Sequence, residues 1–269
     1  MGLVLDTIGY QGAQAAGVVN PVVLSALAPA TGTVRNFATT DRAYLEAVSL
    51  QFGAQAAGDN ITILSPQLAD DVSGINFQPK DNPASLLMPR MAPQQLYPGD
   101  TLVTQVTDVT ASDPVVAALH VLYANLPGGS ARLATWSQLA GAYNHVKPVK
   151  VACAAVARTW VDTVLGANAA VLKSNRDYAV MGYLTDVATC AVGVLGAFTS
   201  NYRVCGPGVA IGYDTAEWFV QMDAETGPPH IPVFNGKDIG AIFASVLTAA
   251  TGTINVTLLL AELNLGIVP

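Results

Sequence analysis

Three histidines and three cysteines are the side chains from which this sequence would most readily build a reactive centre, and their spacing argues against one. A metal-binding segment usually carries its second His two or four residues from the first, so that both imidazoles reach one ion. His120, His145 and His230 have no such neighbour. His120 lies in the most apolar run of the chain, where a packed or hydrogen-bonded core histidine is expected, and His230 follows Pro228-Pro229 at a turn. Cupin-like oxygenase chemistry therefore lacks its ligands, and the expected catalytic, cofactor and metal sets are empty. Cys153, Cys190 and Cys205 are odd in number and lack ligand spacing. Cys190 and Cys205 are placed to meet across a hairpin, but buried free thiols packing as small hydrophobes are the preferred expectation. Nothing here demands an oxidising compartment.

Other reactive patterns are missing as well. No G-x-S-x-G elbow, phosphate loop or dinucleotide fingerprint occurs. Gly128-Gly129 and Gly206-Pro207-Gly208 read as turn glycines, since neither lies between a parallel strand and a helix. Asp70-Asp71 and the pair Asp223/Glu225 read as loop carboxylates, either for a hard cation such as calcium or, preferably, as solvated charge. Two acids brought together by the fold would suffice for glycoside hydrolysis, yet these lack aromatic neighbours to shape a sugar groove. The expectation is a protein that is not an enzyme.

Composition narrows the partners. The 269 residues carry a net charge of −7, only 12% are charged and 51% are hydrophobic. Disorder is excluded for most of the length. An acidic chain with no Lys or Arg between Met1 and Val34 does not suit a nucleic-acid binder, which must neutralise phosphates. That opening also lacks the charged start of a secretory signal and reads as mature sequence, with Leu3 to Tyr10 at most a short arm. Apolar runs such as Val187–Phe198 and Thr253–Leu263 fall short of a membrane span, so a soluble chain is expected. Low charge fits equally a surface hidden in a larger assembly and a stable, Ala-rich monomer.

The elements that would position any site are mainly strands: short Val-, Ile-, Thr-, Leu- and Tyr-rich runs bounded by Gly, Pro, Asn and Asp. The clearest are Ala43–Phe52, Asn60–Leu64, Thr101–Val109, Val115–Tyr123, Val149–Val156, Thr159–Leu165, Tyr178–Val187, Trp218–Met222, Ile239–Leu247 and Thr253–Leu263. Val115–Leu122 is nearly all apolar, as expected of a central strand buried on both sides. One helix is predicted, N-capped by Ser130, carrying Leu133, Trp136, Leu139, Ala140 and Tyr143 at helical spacing and ended by Pro148. Between Ser65 and Pro98, six prolines rule out a central strand and suggest a long excursion from one end of a barrel.

The two halves resemble each other. Asp41-Arg42-Ala43-Tyr44-Leu45 matches Asn175-Arg176-Asp177-Tyr178-Ala179, and Asn60–Pro66 matches Asn201–Pro207. Pro98-Gly99-Asp100 precedes one penultimate strand as Asn235-Gly236-Lys237-Asp238 precedes the other, and Val115–Leu126 matches Ile254–Leu263 as closing strands. Constant order at a separation of roughly half the chain predicts two copies of one β domain, each a Greek-key sandwich or jelly roll. The predicted units are residues 1–128, with the Pro-rich excursion at 65–98, and 129–269, a helical connector followed by the second jelly roll.

On the paired strand starts Arg42/Tyr44 and Arg176/Tyr178, the paired closing strands, the low charge and the Ser65–Pro98 excursion, the chain resembles the double jelly-roll major capsid proteins of tailless icosahedral viruses, often membrane-containing. The resemblance implies an all-β fold of two tandem eight-stranded jelly-roll barrels with a short connecting helix. It also implies self-assembly as a pseudo-hexameric homotrimer into a virion shell, formed in the host cell cytoplasm. The implied partners are further copies of the chain, neighbouring capsomers, minor capsid or penton proteins and an internal lipid membrane, with no sequence-specific contact to nucleic acid. Two other classes remain open on the residues alone. One is a carbohydrate-binding or glycan-amidase-like two-jelly-roll protein, and the other is a trimeric virion spike or adhesin.

Overall fold

A β-strand turns successive side chains to opposite faces, so one apolar residue in two seals one side of a sheet. Asn60–Leu64 follows this rule, with Ile61 and Ile63 buried and Asn60, Thr62 and Leu64 half-buried. Val149, Val151, Cys153 and Ala155 are likewise buried between exposed Lys150, Ala152 and Ala154. The computed structural model describes residues 2–13, 22–23, 25–26, 42–52, 60–66, 74–77, 84–87, 94–97, 99–107, 114–126, 132–187, 190–207, 215–227, 229–248 and 250–264. In them the chain is all-β with two short α-helices.

The first group of strands is β1 (Gly2–Ala13), β2 (Val22–Val23), β3 (Ser25–Ala26), β4 (Arg42–Phe52), β5 (Asn60–Leu64), β6 (Ile75–Phe77), β7 (Ala84–Leu87), β8 (Gln94–Leu96), β9 (Val103–Thr107) and β10 (Pro114–Leu126). They form the sheet β3-β1-β10-β4-β7, with β8 also on β4, and the sheet β2-β9-β5-β6. The second group is β11 (Leu133–Ala134), β12 (Tyr143–Ala155), β13 (Trp160–Val164), β14 (Asp177–Thr185), β15 (Cys190–Leu195), β16 (Val204–Pro207), β17 (Ile231–Asn235), β18 (Phe243–Thr248) and β19 (Gly252–Leu263). Its sheets are β11-β17-β14-β19-β12 and β13-β18-β15-β16. The helices are α1 (Trp136–Leu139) and α2 (Trp218–Thr226).

Strand order identifies the fold. In the second group, β12 to β19 number eight; one sheet holds the first, eighth, third and sixth, the other the second, seventh, fourth and fifth. The first group repeats that order, with β2 and β3 sharing the second place and β7 and β8 the sixth. Two interlocked Greek keys in this order make a jelly roll. The chain therefore holds two of them in tandem.

The repeat is real at three of its four matches. Arg42 and Arg176 sit at the start of the third strands, the turns before β9 and β18 precede the seventh strands, and β10 and β19 are the eighth. The fourth match is off by one strand. Asn60–Leu64 is the fourth strand of its barrel, whereas Val204–Pro207 is the fifth of the other, and the true counterpart is Cys190–Leu195.

Several local expectations are corrected. The connecting helix is a single turn. Thr135 caps it, accepting from the Gln138 amide at 3.3 Å while Gln138 accepts from the Thr135 amide at 2.9 Å; Ser130 lies outside the described residues. Sheet pairing takes both ends of the expected helix, because Leu133–Ala134 pair with Ile231–Pro232 and Tyr143 opens β12. Trp218–Met222, expected as a strand, is the first half of α2. An apolar run this short has no decisive period; Trp218, Phe219 and Met222 share one buried helical side, and Gly227 at φ 89° ends the turn. Asp223 and Glu225 thus lie on a helix, with Asp223 buried and accepting from the Trp136 amide at 2.8 Å. Asp70-Asp71 lies outside the described residues. The Pro-rich stretch contributes β6, β7 and β8, all short and none with strands on both sides. Gly206 and Pro207 belong to β16 rather than to a turn. Leu3–Tyr10 belongs to β1, paired with β10 along its length.

One end of the second barrel is closed by charge. Glu262 on β19, 2% exposed, receives Lys147 at 2.7 Å and Lys173 at 2.9 Å, with the Arg176 guanidinium at 3.8 Å. Hydrogen bonds from the two lysines hold its pKa down to about 2 from the ordinary 4.5. Because the folded value lies below the unfolded one, this network stabilises fully above pH 4.5 and its contribution fades as pH falls toward 2. Glu262→Gln should lower stability at pH 7 by on the order of 2 kcal/mol in urea titrations. The gap from wild type should close near pH 2; a gap undiminished there would mean that Glu262 acts through packing.

Candidate functional site

Strands β1 and β10 pack their two sides against different barrels. Val4, Ile8, Tyr10, Ala117, Leu119, Val121 and Tyr123 belong to the core of the first barrel. Their alternates face the second barrel: Leu5 and Leu122 enter its core, and Ala118 joins Trp160, Ala191, Cys205 and Leu247 in a cluster at the seam. The seam thus sets the β1-β10-β4 sheet of one jelly roll on the β13-β18-β15-β16 sheet of the next.

The apolar part of this seam is fitted closely. A Cβ on Gly9 would lie 2.7 Å from Leu247 and 3.0 Å from the Trp160 ring, so only glycine lets the indole rest against β1. The Trp160 ring also carries Arg203, whose guanidinium stands 5.2 Å from the ring centroid. Arg203 is itself held by Asp162 through Nη2 at 2.5 Å and Nε at 3.2 Å, and Ser245 donates to the same carboxylate at 2.6 Å.

The polar part gathers Asp6, Thr7, Glu46, His120 and His230 around a cavity of about 20 Å³, room for one water. Thr7 Oγ1 accepts from the Cys205 amide at 3.1 Å and lies 3.4 Å from His120 Nδ1, tying β1, β10 and β16 together. Glu46 reaches the site because β4 bulges there: Leu45 pairs with Val121 and Ala47 with His120, leaving Glu46 between them. Its carboxylate stands 3.7 Å from His230 Nε2, both side chains buried. The His120 ring lies 5.9 Å from that of Trp218 on α2. Burial, reinforced by nearby His230, pushes the His120 pKa down to about 3.

Sequence reading expects His120 in a core; it is buried, but between two cores. His230 lies in the irregular segment just before β17 rather than in a turn, and the fold brings it to the cavity that His120 lines. His145 is exposed on β12, well apart in the fold. The three cysteines are free and buried. Cys205 sits opposite Gly193, not Cys190. Burial pushes the Cys190 thiol up to about 12 and raises those of Cys153 and Cys205, which disfavours the thiolates needed for nucleophilic attack. Among the described residues no three His, Cys, Asp or Glu side chains are placed to hold a metal ion. Gly9, Glu46, Trp160 and Arg203 carry no signal in sequence, since their roles come from contacts across the seam.

No family model and no curated protein matches the chain. Among solved structures it is similar to the major capsid protein of bacteriophage PM2, with 7% identity over 98% of this chain and 100% of that one and a TM-score of 0.28. It is also similar to a chain in the atomic structure of Sulfolobus turreted icosahedral virus, with 8% identity over 97% of this chain and 83% of that one and a TM-score of 0.19. The jelly-roll assignment itself stands on the strand order of the four sheets.

Each barrel has one sheet at the seam and one sheet away from it. Away from it, the first barrel presents Asn60, Thr62, Leu64, Asn76, Val103 and Gln105 on β5, β6 and β9. The second presents Val146, Lys150, Ala152, Thr257, Leu259 and Leu184 on β12, β19 and β14. Among these outward residues Lys150 is the one charge, and Val146 and Leu184 are 46% and 42% exposed. No helix among the described residues is long and apolar enough to cross a membrane.

Gly9→Val should overpack the seam, destabilising the chain by about 1–3 kcal/mol and shifting the emission of Trp160 to longer wavelength. Unchanged emission and stability would show that β1 and β13 are not in contact.

Proposed function

We propose that the chain is a structural major capsid protein that builds an icosahedral shell from pseudo-hexameric homotrimers, without catalysis. The observation that carries this reading is the head-to-tail seam. It joins the first-eighth-third-sixth sheet of one jelly roll to the second-seventh-fourth-fifth sheet of the other, so the contact is heterologous. Such a contact leaves one unused surface of each kind on every chain, and copies add until the rotation closes a ring. A ring of six similar barrels is three chains, the count the resemblance implies.

The unused surfaces support the reading. Among the described residues the first face is uncharged and the second carries Lys150, with Asp186 at its edge bonded to Asn255, so burying these faces between copies would desolvate little charge. The net charge of −7 argues for a shell that does not grip its genome directly. On this reading the chain works in the virion, its main partners are copies of itself and adjacent capsomers, and its domains are residues 1–128 and 129–269. The contacts to minor capsid or penton proteins and to a membrane follow from the resemblance only.

Light scattering during size exclusion tests the proposal. The wild-type chain should run as a trimer. Thr62→Asp and Thr257→Asp, one on each unused face, should keep the β-sheet circular dichroism and run as monomers. A monomeric wild type, or trimers that persist in both variants, would refute the head-to-tail scheme.

A further inference from the structure

The two barrels can be laid over one another residue by residue, because both third strands bulge at the same place. β4 holds Glu46 as an extra residue between the pairs Leu45–Val121 and Ala47–His120, and β14 holds Met181 between Val180–Leu260 and Gly182–Leu259. Along the first and eighth strands, Thr7 pairs with His120 as Pro148 pairs with Leu259, and Leu5 pairs with Leu122 as Val146 pairs with Ala261. The inward sides agree. Ile8 and Tyr10 fall on Val149 and Val151, and Leu119 and Val121 fall on Leu258 and Leu260, all buried in their own cores.

On the other side, this superposition sets the seam against the uncovered sheet of the second barrel. Leu5 and Leu122 of the first barrel are buried in the second core. Their counterparts are Val146 and Ala261. Ala261 is already buried, whereas Val146 is 46% exposed. Val146 therefore stands in solvent at the position from which the first barrel reaches into its neighbour. Further along the strand Lys150 takes the place of Gly9, so the socket that receives Trp160 within the chain has no counterpart on this face.

The receiving side is found in the same way. Leu5 lines the small cavity at the seam together with Val204, the first residue of β16, which pairs with Val194. In the first barrel the fifth strand β6 also starts on an apolar residue, Ile75, paired with Ile63. Ile63 and Val194 pair in turn with Thr104 and Ala244, the second residues of the two seventh strands, so Ile75 and Val204 hold the same place. Val204 is 4% exposed under the seam, and Ile75 is half-buried. We propose that Val146 is the anchor of the contact between chains, seated beside Ile75 of the next chain as Leu5 is seated beside Val204 within one. The occupant of this face is thus a second copy of the chain. The anchor rests on the head-to-tail reading above and names the side chain that carries it: an apolar group exposed before docking and desolvated by it.

Light scattering of the full chain over a dilution series reads the dissociation of the trimer. Val146→Ser should raise the concentration at half-dissociation by roughly tenfold or more. Val146→Leu, which restores the side chain that Leu5 supplies, should lower it. Val171→Ser, on a turn of the same barrel and 60% exposed, should leave it unchanged. Urea midpoints of the three variants should stay near that of wild type. A chain carrying both Val146→Cys and Ile75→Cys should be joined to its neighbours by a short bis-maleimide, and neither single variant should be. The three native cysteines are buried and stay out of the reagent's reach. A wild-type monomer would overturn the anchor together with the head-to-tail reading. A wild-type trimer that dissociates equally in Val146→Ser and Val171→Ser, or whose double cysteine variant is not joined, would overturn the anchor and leave the head-to-tail reading standing.

Discussion

Burial of one antiparallel pair on both faces is the constraint around which the molecule is organised. In an ordinary two-sheet sandwich each strand has a core side and a solvent side. Here β1 and β10 have a core on each side, and the second core is closed partly by their Leu5 and Leu122. The pair must be long enough to meet both barrels, which its paired register from Gly2–Leu126 to Ala13–Pro114 provides. It must also present small residues where the second barrel approaches, and Gly9 and Ala118 do so against Trp160, Leu247 and Cys205. The bulge that sends Glu46 toward His230 is a further consequence, since an unbroken β4 would not leave an extra residue at the seam.

How much of this was legible in the sequence depended on whether the cause was local. The continuous apolar run of β10 announced a strand with no solvent side, because burial on both faces removes the alternation a half-buried strand shows. β1 escapes the same reading because its buried residues include the polar Asp6, Thr7 and Gln11, which break the apolar run. α2 was missed for a related reason: Trp218 to Met222 is too short for its period to be read, and burial against β14 and β17 chose helix. The repeat was visible at third strands, seventh-strand turns and eighth strands, where the same geometry demands similar residues. It slipped by one strand where texture alone guided the match. Of the seam, only His120 and His230 stood out as residues, and nothing in their spacing of 110 positions foretold that they line one cavity.

Several charges among the described residues are paired within the fold. Glu262 with Lys147, Lys173 and Arg176 closes an end of the second barrel, and Arg203 with Asp162 backs the indole at the seam. Arg132 pairs with Asp177 at the start of β14. Among the described residues, the outward sheet faces carry little charge beyond Lys150 and the neighbouring Asp186. A free monomer would gain solubility from charge on those faces; a chain that covers them with copies of itself has no such need. On the proposed assembly, the same economy would account for the low charged fraction, which composition alone leaves divided between an assembly subunit and a stable monomer.

On the proposed assembly, the contact between the two barrels within a chain is used again between chains. A single-particle reconstruction of the assembled protein tests it directly. The face bearing Thr257 and Leu259 is expected to lie against the face bearing Thr62 and Gln105 of the next chain, three chains closing a ring of six barrels. Like faces meeting each other, or both faces left in solvent, would contradict it.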